Sequence, residues 1–199
     1  MKKHILSLIV LCLISGSLYS QVQFRSMFDA PNVYITSKDL LNIPKQEGVG
    51  LDFGYGFGTH FMMIKPIVGI DVTADLGNKE IVKTLTYNPY AKLEVGLGKW
   101  RSNGQKCAKT NAHAFTLMVK GGLLYNFGKR KADIANDVPA IDPALDYFIA
   151  AEFGNFYIKD YRKNTEFYIS PGWSFKRKAL MLDVGFRTFI NTIAPKYGR

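Results

Sequence analysis

The sequence predicts an all-β chain that closes into an up-and-down antiparallel transmembrane β-barrel of eight strands. Three observations predict it. Large apolar residues alternate with small or polar ones along most of the chain beyond position 48. Glycines crowd the polar face of that alternation, which suits a narrow lumen. The N-terminus has the layout of an export signal.

That signal comes first. Lys2 and Lys3 form a positive start, an apolar run extends from Ile5 to Ile14, and small and polar residues follow to Gln21. The run is shorter than the roughly 20 residues a spanning helix needs, so residues 1–20 read as a cleaved signal peptide and 21–199 as one outer-membrane barrel domain. Leu11 before Cys12 argues against a lipoprotein signal. Lys2 and Lys3 leave with the signal, so the formal charge falls from +10 to +8, and Cys107 remains as the single cysteine. One cysteine makes no internal disulfide and no cysteine-based zinc site.

Strands then follow in order. Val49, Leu51, Phe53, Tyr55 and Phe57 alternate with Gly50, Asp52, Gly54 and Gly56, and Gly58-Thr59-His60 forms a tight link. A second run covers about 60–76, with Lys65, Asp71 and Thr73 on its polar face. The third covers 83–99, with Lys92 and Glu94; the fourth 112–127, with Thr116 and Lys120. The fifth covers 144–158, with Asp146 and Glu152; the sixth 165–175, with Glu166 and Ser170. The seventh runs from the basic triplet Lys176-Arg177-Lys178 to about 190, with Asp183 and Arg187. Single-chain bacterial barrels have an even strand number. The eighth is therefore expected near Val22, Phe24 and Met27 or Phe28, followed by a connection over about 29–47. Pro66, Pro89 and Pro171 fall inside strand patterns and predict bulges, because each lacks a ladder donor; Gly121-Gly122 marks a further candidate bend. Residues 37–41 could make one helical turn.

The alternation alone fits two inversions, a membrane barrel with a polar lumen and a soluble barrel with an apolar one. Strand charges are few and mixed, glycines line the polar face, and aromatics such as Tyr55, Phe57, Phe127, Tyr157 and Phe175 gather near strand ends. These traits favour the membrane. A soluble periplasmic ligand-binding barrel stays open as the alternative.

The lysine-led signal ending Tyr19-Ser20-Gln21 and the stretch from Gly50 to Phe57 resemble the small outer-membrane β-barrel proteins of Bacteroidota. The resemblance concerns architecture. It implies location in the outer membrane of a Gram-negative bacterium, insertion by the barrel-insertion machinery, and contact with outer-membrane lipid and lipopolysaccharide.

Two sets of residues are candidates for function. The first is a polar network in the lumen: Asp52, Lys65, Asp71, Lys92, Glu94, Lys120, Asp146, Glu152, Glu166, Asp183 and Arg187. An eight-stranded barrel is just wide enough for side chains to fill it, so these charges are expected to pair into a structural plug, or else to line a narrow path for water or small ions. The second is the basic loops: Arg101, Lys106 and Lys109 (beside Lys99), then Lys129, Arg130 and Lys131, then Lys176, Arg177 and Lys178. Clustered positive charge attracts lipid phosphates or an acidic envelope protein partner; nucleic acid is not expected in that compartment. Loops 29–47, 77–82, 128–143 and 176–178 are expected on one side, outside the cell. A lipid-modifying enzyme would need a histidine with a serine and an acid. Only His60 and His113 remain after the signal, and neither has such partners at recognisable spacing. No cofactor fingerprint and no metal-ligand cluster appear. The leading expectation is a non-enzymatic accessory or structural barrel. A pore and a lipid-modifying enzyme are the alternatives.

Overall fold

The computed structural model describes residues 25–38, 40–41, 46–59, 61–100, 112–134, 140–158 and 163–193. Eight strands make a closed barrel in sequence order: β1 Arg25–Lys38, β2 Gln46–Gly58, β3 Met62–Asp75, β4 Thr86–Lys99, β5 Ala112–Asn126, β6 Ala144–Ile158, β7 Lys163–Ser174 and β8 Ala179–Ile193. Every neighbouring pair is antiparallel, and β1 pairs with β8 to close the ring. The first and last strands both begin or end at one end of the barrel, here the terminal end. The opposite end, here the loop end, carries the connections after β1, β3, β5 and β7.

The phase of the alternation is as the sequence predicts. Asp52, Lys65, Asp71, Glu94, Lys120, Glu152, Glu166 and Arg187 are buried inside, while Leu51, Phe53, Val68, Leu93, Val119, Ile149, Phe153, Ile169 and Phe186 stand exposed outside. Aromatics mark both borders of this outer belt. Tyr87, Tyr125, Phe127, Tyr147, Trp173 and Phe175 ring the loop end, and Phe28, Tyr55, Phe115 and Phe167 the terminal end. A soluble barrel would reverse this arrangement, exposing the charges and burying the aliphatics. The fold is a transmembrane barrel, apolar without and polar within. Its strands run 12 to 15 residues, longer than the roughly 9–11 that a tilted strand needs to span, so their ends stand above the apolar belt.

Five expectations are corrected. The first strand is not followed by a connection over 29–47, because β1 continues to Lys38 and β2 already begins at Gln46; Val22 and Phe24 lie outside the described residues. Ser37 and Lys38 are therefore strand, and only Leu40 and Leu41 turn. Pro66 and Pro171 do not cause bulges. The β2–β3 pairing stops after Gly54↔Ile67 and resumes at Phe57↔Ile64 in the same register, and β6–β7 does likewise between Ala150↔Gly172 and Phe153↔Ile169. Pro89 pairs with Ile70 in an unbroken β3–β4 ladder, and its carbonyl accepts the Phe127 N–H at 2.8 Å. A proline with its nitrogen turned to an interrupted stretch removes one bond without adding a residue. Register shifts fall instead at Ala30-Pro31, against β2 and β8 alike, and at Ser26-Met27 against β8 alone. Gly121-Gly122 sits in unbroken register on both sides. The strand expected over 83–99 is β4 and starts late, at Thr86, after a single helical turn, α1 (Ile81–Thr84).

Candidate functional site

The lumen has two zones. At the terminal end Met27, Met63, Met118, Trp100 and Phe189 pack into one apolar cluster, with Phe189 0% and Trp100 1% exposed. Trp100 follows the last residue of β4 and folds inward, where its indole N–H donates to the Thr59 carbonyl. The plug is built from inward positions that elsewhere carry charge.

Above the plug the interior is ionic. Arg187 on β8 lies at the centre. Its Nη2 stands 2.8 Å from Glu152, its Nε 3.1 Å from Glu166 and its Nη1 3.9 Å from Asp29, and its guanidinium lies 3.7 Å over the Tyr168 ring. Lys65 pairs with Asp29. Lys120 joins Glu152 at 2.8 Å to Glu94 at 3.5 Å, and Glu94 meets Lys92 at 2.9 Å. The chain of charges thus crosses from β8 through β6 and β5 to β4. Each ion has lost its water, so each depends on its neighbours.

Toward the loop end the network changes to phenols and carboxylates. Lys38 pairs with Asp71, and the Tyr34 hydroxyl donates to the same carboxylate. The Tyr34 and Tyr90 hydroxyls stand 2.7 Å apart, while Tyr90 reaches Asp52 at 2.9 Å. Two phenolic protons therefore serve three short contacts, which ties Asp52 and Asp71 into one unit. The Asn32 amide donates to the other oxygen of Asp52 at 2.9 Å, and Thr36 donates to Asp183 at 2.7 Å. Among the described residues the lumen faces hold eight acids (the seven expected plus Asp29) and five bases (the four expected plus Lys38), an acidic interior in a chain of formal charge +10.

Three tyrosines reach across the lumen because glycines clear their path. Tyr34 lies opposite Gly50, Tyr90 opposite Gly69 and Tyr168 opposite Gly185. A Cβ on Gly69 would come within 2.7 Å of the Tyr90 ring, and one on Gly185 within 2.6 Å of the Tyr168 ring. What space remains is small. One cavity of about 50 Å3 is bounded by Tyr34, Lys38, Asp71, Lys92, Lys120 and Asp183, and another of about 10 Å3 lies between Asp52, Lys65 and Arg187. Such spaces hold single waters rather than a ligand.

The expected network residues all face inward, and Asp29, Asn32, Tyr34, Lys38, Tyr90 and Tyr168 join them without having been singled out. Asp146 stands apart from the ionic chain. It accepts from Ser174 Oγ and from the backbone N–H groups of Tyr147 at 2.7 Å and Lys176 at 3.0 Å, so it fastens the β7–β8 turn. Of the basic loops, Lys129, Lys131, Lys176 and Lys178 are exposed at the loop end. Arg130 is drawn inward instead, its guanidinium donating to the Thr84 carbonyl at 2.7 Å and to the Thr86 hydroxyl, and partial burial lowers its pKa from the ordinary value. Arg177 extends toward Gln46 at 3.5 Å. Lys99 ends β4 at the other end of the barrel and lies 3.9 Å over the Phe115 ring. Arg101, Lys106, Lys109, His60 and the side chain of His113 lie outside the described residues. The loops expected on one side do belong to one end, opposite the termini.

No protein-family model matches the chain, and no curated protein matches it. Among solved structures, a de novo designed transmembrane β-barrel shares 11% identity over 84% of this chain and 95% of its own, with a TM-score of 0.41. The N-terminal β-barrel domain of Pseudomonas aeruginosa OprF shares 10% identity over 86% of this chain and 99% of its own, with a TM-score of 0.43.

Proposed function

We propose that this chain is exported by a cleaved signal, is inserted by the barrel-insertion machinery, and resides in the outer membrane of a Gram-negative cell. There it serves as a closed, non-enzymatic accessory or structural barrel. Its contacts are lipid and lipopolysaccharide phosphates and an envelope protein partner, met on the loops and rims rather than in the lumen. The observation that carries this reading is the filling of the lumen. Among the described residues its interior spaces are about 50 and 10 Å3, and five apolar side chains stop its terminal end. Buried cations held by carboxylates, as Arg187, Lys120 and Lys65 are, support a permanent interior rather than a route for ions.

The test uses the protein from washed outer membranes, run unheated and boiled in detergent, and then placed in planar bilayers. A mobility shift on boiling with no stepwise conductance is the expected result. Recovery in the soluble periplasmic fraction would sink the membrane reading. Conductance altered by Lys120→Gln or Glu152→Gln would replace it with a narrow pore.

A further inference from the structure

The β6–β7 seam is the weak line of the wall near the loop end. Pairing lapses beside Pro171, and the last pair before the lapse is Ala150 with Gly172. These two small residues border the internal cavity on one side and an outer groove of about 340 Å3 on the other. The groove is walled by Val119, Ile149, Ala151, Pro171, Trp173 and Leu180. Inside a bilayer such a hollow is not left to water, which would forfeit hydrogen bonds there, nor left empty, since its walls would lose their dispersion contacts. A run of methylenes fills it.

Directly beyond the groove the chain turns through Lys176, Arg177 and Lys178. Trp173 is one residue from the end of β7, so Lys176 lies in the turn just past it, toward the headgroups. Lys176 and Lys178 are exposed, and the nearby Asp146 turns inward to Ser174 and backbone N–H groups. Lys178 holds a φ of 54°, a left-handed conformation that asparagine or glycine adopts with less strain. A lysine kept where it costs stability points to use of its charge. The other lapse, at Pro66, opens on a larger apolar groove of about 560 Å3, which at Tyr125 and Leu145 reaches the connection carrying the exposed Lys129 and Lys131; what sets the Pro171 groove apart is the left-handed Lys178 beside it.

We infer that the Pro171 seam and the turn above it seat one anionic, phosphate-bearing lipid, with an acyl chain along the groove and its phosphate on Lys176 and Lys178. The site rests on the membrane reading above.

The chain's two tryptophans make the test direct, since Trp173 faces the groove and Trp100 is enclosed in the plug at the far end. The full chain is refolded into phosphatidylcholine vesicles holding a minor fraction of either brominated-chain phosphatidylglycerol or brominated-chain phosphatidylcholine, and tryptophan quenching is compared. The expected result is an about thirtyfold preference for the anionic lipid, the size that two lysines at a lipid surface supply, weakened by raised salt. The double variant Lys176→Gln, Lys178→Asn loses the preference yet keeps its heat-dependent mobility. Ala151→Phe, which fills the groove from the lipid side, lowers quenching by both lipids. Equal quenching by the two lipids, or a preference that survives the double variant, overturns the site. Protection of Trp173 that grows with protein density overturns it in favour of a second copy. Failure to float with the vesicles overturns both the site and the membrane reading, whereas the other failures leave that reading standing.

Discussion

The two ends of the lumen solve one packing problem with opposite chemistry. Both are filled by inward residues at every second strand position. At the terminal end these are methionines, Phe189 and Trp100; above them they are lysines, carboxylates and Arg187. The plug is soft, since methionine is unbranched and fills irregular gaps with little directional demand. The ionic zone is stiff, because each charge is stable only while its partners hold position. The contrast teaches that closing this barrel needs only volume, whereas keeping its middle in register needs particular partners.

Substitutions can break or sharpen that contrast. The largest effect is expected from Arg187→Ala, which strands Glu152, Glu166 and Asp29 without their shared cation. Removing one side of a buried ion pair costs about 3–5 kcal/mol, and urea unfolding of the reconstituted barrel should show it. If the loss is under about 1 kcal/mol, the interior is wet and the two zones do not differ. Met63→Ala should cost less, about 2 kcal/mol, the lower end for a buried large-to-small change, because Met27 and Met118 can lean into the gap. A loss as large as that of Arg187→Ala would make the plug as rigid as the network. Gly50→Ala should cost about 1.5 kcal/mol through collision with the Tyr34 ring. Adding Tyr34→Ala should cancel most of that collision in a double-mutant cycle. The smallest effect has the opposite sign: Lys178→Asn should stabilise by about 1 kcal/mol by relieving its left-handed backbone. A neutral or negative result would mean that its charge also holds the turn.

Seven strands and the facing of their charges were legible because a half-buried strand writes its burial at period two. Leu51, Phe53 and Tyr55 against Gly50, Asp52 and Gly54 leave one solution once the chain is known to cross a membrane. The strand that escaped was β1, and the reason is visible in its burial. Met27 and Asp29 face in, as do Asn32, Tyr34, Thr36 and Lys38, so the inward set changes from odd to even numbers across Ala30-Pro31. A strict alternation test fails at that step and reports a loop, which hid Asp29, Tyr34 and Lys38 from the predicted network. Tyr90 and Tyr168 were missed for another reason. They were placed on neither face, although each shares the even parity of its polar neighbours, Tyr90 with Lys92 and Glu94 and Tyr168 with Glu166 and Ser170, and the glycine opposite each gives the ring room inside. The basic triplets could be read as loops, but not that Arg130 would be spent on Thr84 and Thr86, since that contact joins residues 46 apart in sequence.

The step at Ala30-Pro31 also bears on how the ring shuts. It displaces the register against β2 and β8 at the same point, and a second shift at Ser26-Met27 concerns β8 alone, so the closing joint is keyed like a fastener with teeth out of pitch, the one at Ala30-Pro31 facing both neighbours. A strand without such a tooth could slide by two residues along its neighbour and still present the correct face. Here a slide would set the displaced tooth against regular pitch on both flanks at once, so the joint has one alignment in which to lock. Deleting Ala30 would remove the tooth. It would set Asn32 two places after Asp29, leaving both halves of β1 facing inward in one continuous register against β2, and a joint free to lock in more than one alignment.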